Sequence, residues 1–341
     1  MKLQLLDELI ALGHTDVRST ECVIAVRAKN HHPDIARAQK LFPKTASFPI
    51  PIQTHATLDA FIDEKLPGPL HLELSRIAEG DLLALKMSHI LGDAVSMFLF
   101  LKALMGHEVS TEELSLRRFP RKKDTPYRDL LNSTLWPRKG VISTRRKIIR
   151  ETFVHGEQNG PVLNDLFLYS LLESLPYSRK SVWVPVNVRL EFWKGFGNGL
   201  SRMRIYSPKG ANLPEKLAHI RKQKQEAMVN GEVALPPRNF DLKNRHQRLL
   251  YEMWVRRPWA DWGTVSLSHI SNRQGMMDEF SEVWGVSNLM PAHNGAIFAL
   301  TSGERTDFTL TYDPALASDQ EARNLMRDFL LCLRAKLESD K

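Results

Sequence analysis

Cysteine is scarce in this chain, which has Cys22 and Cys332 as its two cysteines among 341 residues. They are too few for a disulfide scaffold, and their spacing matches no metal or redox motif. Long apolar runs are also absent, because no uninterrupted stretch approaches the roughly 20 residues that span a bilayer. The N-terminal apolar run contains Asp7 and Glu8, so it is not typical of a signal peptide. We expect a cytoplasmic protein without a transmembrane segment.

Four further patterns are missing. The glycines of residues 195–199, GFGNG, are not preceded by a strand and followed by a helix in the arrangement of a dinucleotide-binding fingerprint. Carboxylates and histidines show no metal-ligand spacing, so we predict no metal. His31 and His32 lie in a predicted loop before Pro33, and His269 has Arg273 instead of Asp four residues later, so we assign all three to structure or surface. Neither half of the chain contains a repeat or a low-complexity tract.

The net charge of +8 is concentrated in one segment. Residues 117–150 hold twelve Lys or Arg and two Asp, a local balance of +10, so the rest of the chain sums to about −2. Such a segment could bind nucleic acid, a phosphorylated cofactor or an acidic protein. A solvated linker that its charge keeps soluble is at least as good an explanation. Its prolines disfavour long regular elements. We therefore divide the chain into an N-terminal half, 1–116, a basic crossover linker, 117–146, and a C-terminal half, 147–341.

Strand and helix patterns alternate in both halves, and the 43% hydrophobic content is ample for a core. Period-two or apolar runs predict strands at 23–28, 70–74, 83–89, 147–153, 181–189, 200–206, 264–272, 296–301 and 306–312. Helical periodicity and capping residues predict helices at 34–41, 58–66, 94–105, 164–175, 214–229, 245–255 and 318–337. Asn164 is the predicted cap of its helix, and residues 302–305 form a predicted four-residue hairpin loop. This mixture predicts an α/β fold, an α+β layered sandwich, rather than a bundle or a barrel.

Residues 81–105 are the centre of this pattern, because a strand there leads through a short turn into a helix. The turn places an imidazole, His89, at the end of the strand and a carboxylate, Asp93, four residues later. Asp93 is positioned to cap the helix by accepting from its free N–H groups. Without further context, these two residues are more typical of a helix cap and a packed histidine than of catalysis.

Residues 88–96, SHILGDAVS, are similar to the HHxxxDGxS signature of a superfamily of acyltransferases. It includes chloramphenicol acetyltransferase, nonribosomal-peptide condensation domains, plant BAHD acyltransferases and bacterial wax ester synthases. Two positions depart from the signature, since Ser88 replaces the first His and Ala94 replaces the Gly. The resemblance covers residues 70–341 well. It is poor over the N-terminal part, where members of the family are usually longer.

Four downstream blocks resemble the wax ester synthase branch in the same order along the chain. They are Asn164-Asp165, the PVNVR of residues 185–189, Gly197-Asn198 and Ser271-Asn272. The resemblance implies two chloramphenicol acetyltransferase-like halves that form a V, with the active site at their interface and a channel from each side. It also implies site residues: His89 as general base, Asp93 paired with Arg189 to hold the turn, and Asn164, Asn198 and Asn272 as oxyanion or substrate contacts.

The function implied is transfer of an acyl group from a CoA or acyl-carrier-protein thioester to a hydroxyl. A neutral imidazole suits this reaction, because an alcohol needs a base at neutral pH. The predicted partners are acyl-CoA or an acidic acyl carrier protein and a small alcohol or amine, with no permanently bound cofactor and a monomeric protein. The basic residues that we expect to recruit the donor are Arg117, Arg118, Arg121, Lys122 and Lys123.

Two alternatives stay open within this family: an amide-forming condensation enzyme, and a non-catalytic relative that binds an acyl chain or a carrier protein. The departures at Ser88 and Ala94 permit the second. Nucleic-acid binding is disfavoured, because no binding motif accompanies the basic segment and its aromatic residues are sparse.

Overall fold

Eleven strands and six α-helices make up the described part of the chain. The structure, a computed structural model, describes residues 21–28, 33–46, 49–64, 66, 71–117, 146–156, 160–176, 180–191, 194–197, 200–230, 245–246, 249, 265–272, 275, 277–287 and 295–339. The strands are β1 (Glu21–Ala28), β2 (Ile52–His55), β3 (Leu72–Ile77), β4 (Leu82–Ser88), β5 (Lys147–Val154), β6 (Ser181–Asn187), β7 (Leu200–Tyr206), β8 (Val265–Ser271), β9 (Phe280–Val286), β10 (Gly295–Ser302) and β11 (Arg305–Tyr312). The helices are α1 (Ile35–Leu41), α2 (Leu58–Asp63), α3 (Ala94–Leu104), α4 (Gly160–Ser174), α5 (Leu213–Val229) and α6 (Asp319–Ser339).

The strands form two sheets. A five-stranded sheet has the order β2-β3-β4-β1-β9, and a six-stranded sheet has the order β5-β11-β10-β8-β6-β7. We call the first sheet with α1–α3 the first lobe, and the second sheet with α4–α6 the second lobe. Both sheets mix parallel and antiparallel pairs. The prediction of a mixed α/β fold built as two halves is confirmed.

Strand β9 crosses from one lobe to the other. It follows β8 in the chain, yet it pairs with β1 in the first sheet, where Ala25 lies opposite Trp284. The crossing is close, because a Cβ on Gly285 would lie 2.4 Å from ring carbons of Phe298 in β10. The sequence pattern does not reveal β9, since its buried positions do not alternate and its pairing with β1 contains a register shift. Because β9 follows residue 147 in the chain but belongs to the first sheet, a boundary at residue 147 does not separate the two sheets.

The turn between β4 and α3 lies inside a shared core. All seven residues of β4 are buried, and ten of the eleven residues of α3 are buried as well. A helix that is apolar on every side belongs in a protein interior. Phe298 and Leu300 of the second sheet join the same apolar cluster as α3. This packing places the β4–α3 turn at the junction of the lobes.

Helices α4 and α6 cover one face of the second sheet. Phe308 of β11 meets Phe167 of α4 and Phe329 of α6 edge to face, at centroid distances of 5.0 and 5.1 Å. The capping box predicted for the last helix is confirmed, since Ser318 and Glu321 exchange hydrogen bonds.

Two local predictions in the second lobe are wrong. Helix α4 begins at Gly160, so Asn164 lies within the helix and is not its cap. Ser302 pairs with Arg305, so the hairpin loop has two residues rather than four. The helix predicted at 245–255 falls largely outside the described residues.

A buried charged cluster ties the lobes together. Lys86 in β4 is fully buried, and its Nζ donates to the backbone carbonyls of Phe61 and Glu64. Glu21 at the start of β1 is also buried and accepts from Arg146, the residue before β5 of the second lobe. Burial lowers the pKa of Lys86 to about 8, although the Glu21 carboxylate opposes this shift.

Lys86 should make stability depend on pH under alkaline conditions. Its ordinary pKa is 10.5, so between pH 8 and 10.5 the unfolded chain binds a proton that the folded protein lacks, and the free energy of unfolding rises with pH. Tyr312, whose pKa burial raises to about 12, acts in the opposite direction above pH 10. We expect urea unfolding to show that the stability of the parent protein relative to Lys86→Met increases from pH 8 to 10. If the difference in free energy of unfolding between the parent and Lys86→Met stayed constant from pH 8 to 10, the lowered pKa of Lys86 would be contradicted.

Candidate active site

His89 lies in the turn that connects β4 to α3. The turn is closed by a hydrogen bond from Leu91 N to Ser88 O at 2.9 Å, and Ser88 N donates to His71 O of the neighbouring segment at 2.9 Å. The side chain of His89 is partly exposed, whereas the residues on both sides of it are buried. The backbone is thus fixed by the sheet while the imidazole remains accessible.

Asp93 caps α3 and carries a buried ion pair. Its Oδ1 accepts from Ser96 N at 3.1 Å, which satisfies a free donor of the first helical turn. Arg189 donates through Nη1 to Oδ2 at 2.6 Å and through Nη2 to Oδ1 at 2.8 Å, and neither side chain is exposed. A bidentate pair of this kind fixes both the distance and the plane of the carboxylate. The structure therefore places the two residues predicted to hold the turn in direct contact across the lobes.

Two glycines of the GFGNG segment, Gly195 and Gly197, lie against this ion pair. Arg189 donates to Gly195 O at 3.3 Å and to Gly197 O at 2.7 Å. Ser96 Oγ accepts from Gly197 N at 2.9 Å and lies 2.8 Å from Gly197 O. The segment is thus a clamp that ties α3 of the first lobe to the second lobe. The sequence places Gly197-Asn198 in a family-like block, but it does not predict these contacts with Arg189 and Ser96.

Gly195 is required by both its backbone and its surroundings. Its φ is +79°, and an added Cβ would lie 2.4 Å from Leu114 Cα, whereas Gly303 has φ +57° and open space around it. We expect Gly303→Ala to cost about 1–2 kcal/mol, the penalty of a left-handed backbone. Gly195→Ala should cost about 1–3 kcal/mol more, because the backbone of Leu114 must move. Urea denaturation of both variants measures the difference, and equal losses would show that the clamp tolerates a methyl group.

The two departures from the family signature fit this turn. Ser88 is buried, and its Oγ accepts from Ile90 N at 3.4 Å. Ala94 is the first residue of α3, and its methyl group belongs to the core cluster of the first lobe. The glycine that the turn needs is Gly92, where a Cβ would lie 2.6 Å from Ser96 Cβ.

The structure places Asn164 in a hydrogen-bonded network of the second lobe. Its Oδ1 accepts from Lys224 Nζ, and its Nδ2 lies 3.3 Å from Nδ1 of His269. His269 was assigned to structure or surface, and its place beside a predicted site residue was missed, because no local pattern links residues 105 positions apart. Asn198 lies outside the described residues.

Asn272 closes the turn that follows β8. Its Nδ2 donates to Asp278 Oδ1 at 2.6 Å, its Oδ1 accepts from Met277 N at 2.8 Å, and its backbone N donates to Thr301 O at 2.8 Å. Both ends of the amide are therefore engaged in holding this turn. Its predicted role as an oxyanion or substrate contact stays a prediction.

Of the basic residues expected to recruit a donor, Arg117 alone is described. It is exposed, and its backbone N donates to Val188 O at 2.7 Å, next to Arg189. Arg118, Arg121, Lys122 and Lys123 lie outside the described residues. Within the described part of the chain, no group of three His, Cys, Asp or Glu residues is placed to hold a metal ion. None of the described helices is long and apolar enough to cross a membrane.

Comparison with known proteins gives matches at the level of structure. No profile of a known protein family and no curated protein sequence matches the chain. A starter condensation domain of the rhizomide synthetase RzmA, a mutant in complex with C8-CoA and Leu-SNAC, is similar with a TM-score of 0.61 at 10% identity, over 98% of this chain and 94% of that one. The X-domain from teicoplanin biosynthesis has a TM-score of 0.56 at 13% identity, over 97% and 93%.

A wax ester synthase/diacylglycerol acyltransferase from Marinobacter aquaeolei VT8 aligns over 98% of this chain and 99% of that one, with a TM-score of 0.49 at 14% identity. The similarity to the starter condensation domain shows that this chain has the same fold. It is the fold that the resemblance of residues 88–96 leads us to expect.

Proposed function

We propose that this protein is an acyltransferase that moves an acyl group from a CoA or carrier-protein thioester to a hydroxyl, with His89 as the general base. One observation carries the proposal. An accessible imidazole lies at the lobe junction of a condensation-domain fold, in a turn held by the fully buried Asp93–Arg189 pair. A turn fixed in this way from both lobes can present a base in one orientation, as positioned proton transfer requires.

The reaction follows from the chemistry of the imidazole. Neutral His89 takes the proton of the acceptor hydroxyl while the oxygen forms its bond to the thioester carbonyl carbon. The carbonyl oxygen becomes an oxyanion, and its collapse breaks the carbon–sulfur bond. The imidazolium then returns the proton to the thiolate, so the products are an ester and a free thiol and the enzyme is unchanged. Asp93 and Arg189 act as positioning residues in this scheme and transfer no proton.

The donor and the acceptor are supported by different observations. C8-CoA, a CoA thioester, is bound by the condensation domain of similar fold, and the basic segment suits the phosphates of CoA or an acidic carrier. A hydroxyl acceptor is favoured because the four downstream blocks resemble an ester-forming branch. Amide formation is the second candidate, since the structures of similar fold include condensation domains.

Product analysis tests the proposal. The purified protein is incubated with acyl-CoA or acyl-carrier donors of several chain lengths, and with alcohols or amines as acceptors. We expect free thiol to be released together with an ester, detected by mass spectrometry. An amide product would instead select the second candidate. Tight thioester binding without release would select the non-catalytic alternative and overturn the proposal.

Donor use should weaken as salt rises. The segment 117–150 carries a charge of +10, and attraction between exposed charges is screened over about 8–10 Å at physiological ionic strength. We therefore expect the KM for the thioester donor to increase severalfold between low salt and about 0.5 M NaCl, whereas the KM for an uncharged acceptor changes little. A donor KM that does not vary with salt would remove the basic segment from donor recruitment.

A further inference from the structure

A row of polar side chains runs across the end of the second sheet into the helices that cover it. It crosses four adjacent strands, β5, β11, β10 and β8, and continues into α4 and α5. At one end, His155 lies 2.6 Å from Gly156 O through Nδ1 and 3.0 Å from Thr306 Oγ1 through Nε2. In the middle, Thr306 Oγ1 lies 2.7 Å from Thr301 Oγ1, which lies 2.9 Å from His269 Nε2. At the other end, His269 Nδ1 lies 3.3 Å from Asn164 Nδ2, and Asn164 Oδ1 accepts from Lys224 Nζ.

The two ends of this row fix the direction of its hydrogen bonds. The Lys224 ammonium only donates, so Asn164 must turn its carbonyl oxygen to Lys224 and its NH₂ group to His269. Nδ1 of His269 must then accept, which puts the proton of a neutral ring on Nε2, facing Thr301. At the far end, the Gly156 carbonyl only accepts, so His155 carries its proton on Nδ1. The hydroxyls of Thr301 and Thr306 complete the row by donating in the same direction, toward His155.

We propose that Lys224 is a positioning residue that acts through Asn164 to hold His269 as the neutral ring protonated on Nε2. A proton on Nδ1 of His269 would face the Asn164 NH₂ group donor to donor. Turning the amide over to relieve that conflict would place its NH₂ group against the Lys224 ammonium. The same row holds His155 in the opposite tautomer, with its proton on Nδ1.

Lys224 is itself held in place by charge. Its Nζ donates to Asp165 Oδ1 at 2.6 Å, and Arg221 donates to Oδ2 of the same carboxylate at 2.6 Å. Burial lowers the pKa of Lys224, and the Asp165 carboxylate opposes that shift. The buried Asp165 carboxylate therefore holds the Lys224 ammonium next to the Asn164 oxygen.

The orientation has a consequence for catalysis that rests on the proposed function. Asn164 is partly exposed, and its NH₂ group has a second N–H besides the one directed at His269. With its oxygen turned to Lys224, Asn164 has this second N–H to offer to a substrate oxygen. Any contact with an acyl oxygen at this position is therefore a donated hydrogen bond, as a developing oxyanion requires.

Histidine ¹⁵N NMR of the full-length protein tests the inference without an activity assay. The parent should show His269 protonated on Nε2 and His155 on Nδ1, with each signal assigned by a His→Gln variant. Asn164→Asp replaces the donor facing His269 with a carboxylate, so Nδ1 of His269 should become protonated. Lys224→Met should give His269 a mixture of tautomers, and Lys224→Arg should restore the single form.

Lys222→Met is the matched control, because Lys222 lies on the same helix with its side chain 69% exposed. It should leave both histidines unchanged. The inference is overturned if His269 carries its proton on Nδ1 in the parent, or if Asn164→Asp leaves that nitrogen unprotonated. It is also overturned if Lys224→Met, folded by circular dichroism, keeps the single tautomer. Because these readouts are spectroscopic, they stand whether or not the protein transfers acyl groups.

Discussion

We expect His89→Ala to lower the rate of the proposed acyl transfer by about 10²- to 10⁴-fold, the usual contribution of a positioned general base. Without the imidazole, the acceptor hydroxyl keeps its proton as it attacks the thioester, and the thiolate leaves without a proton donor. The drop should appear in kcat, because the methyl group of alanine removes the base while the lobes that bind the substrates are unchanged. Steady-state release of free thiol, with acceptor present, measures the effect.

The same variant should remain folded. His89 is partly exposed, and its turn is closed by backbone–backbone hydrogen bonds that an alanine would keep, so we expect the free energy of unfolding of His89→Ala to stay within about 1 kcal/mol of the parent. His107→Ala is the matched control, since His107 is another partly exposed histidine of the first lobe. It should keep the parent rate. A rate loss shared by both variants would point to damage of the lobe rather than loss of a base.

Removal of either partner of the Asp93–Arg189 pair should cause the largest loss of stability. Both side chains are fully buried, so Asp93→Ala leaves an unpaired guanidinium and Arg189→Met leaves an unpaired carboxylate inside the protein. Breaking a buried pair in this way costs about 3–5 kcal/mol. Asp93→Ala also removes the cap of α3, so its loss should lie at the upper end. Urea denaturation gives both values.

A double-mutant cycle separates the ion pair from the packing around it. Asp93→Ala together with Arg189→Met leaves no unpaired charge, so the double variant should lose less than the two single variants summed. The exposed pair between Lys194 and Glu112 is the comparison, and Glu112→Ala should cost less than about 1 kcal/mol. Additive losses at Asp93 and Arg189 would mean that their contact does not hold the turn.

The sequence predicts those parts of the site that are local. The period-two strand, the helix and the capping Asp93 all depend on neighbours within a few residues, and each is present in the structure. The contact between Asp93 and Arg189 joins residues 96 positions apart, and it was expected only because the ordered blocks resemble a family. The periodicity of the sequence does not show which residues so far apart in the chain are in contact.

The rest of the site depends on contacts that no local pattern contains. Ser96 meets Gly197 across 101 positions, so the sequence places Gly197 in a block that resembles a family but does not predict its contact with Ser96. Asn164 looked like a helix cap, whereas the helix begins four residues earlier and the side chain binds Lys224 of another helix. In each case the packing of helices, strands and loops brings a polar group next to its hydrogen-bond partner. Such partners follow from the fold and cannot be derived from the residue types alone.

Release of free thiol in a single turnover tests most directly whether His89 is the base of an acyl transfer from a thioester. Parent and His89→Ala proteins are mixed with the same acyl-CoA, with and without an alcohol acceptor, and the free thiol released is followed in a single turnover. We predict release by the parent that depends on the acceptor, and a rate at least about 100-fold lower in His89→Ala. Equal acceptor-dependent release by the two proteins would contradict the claim.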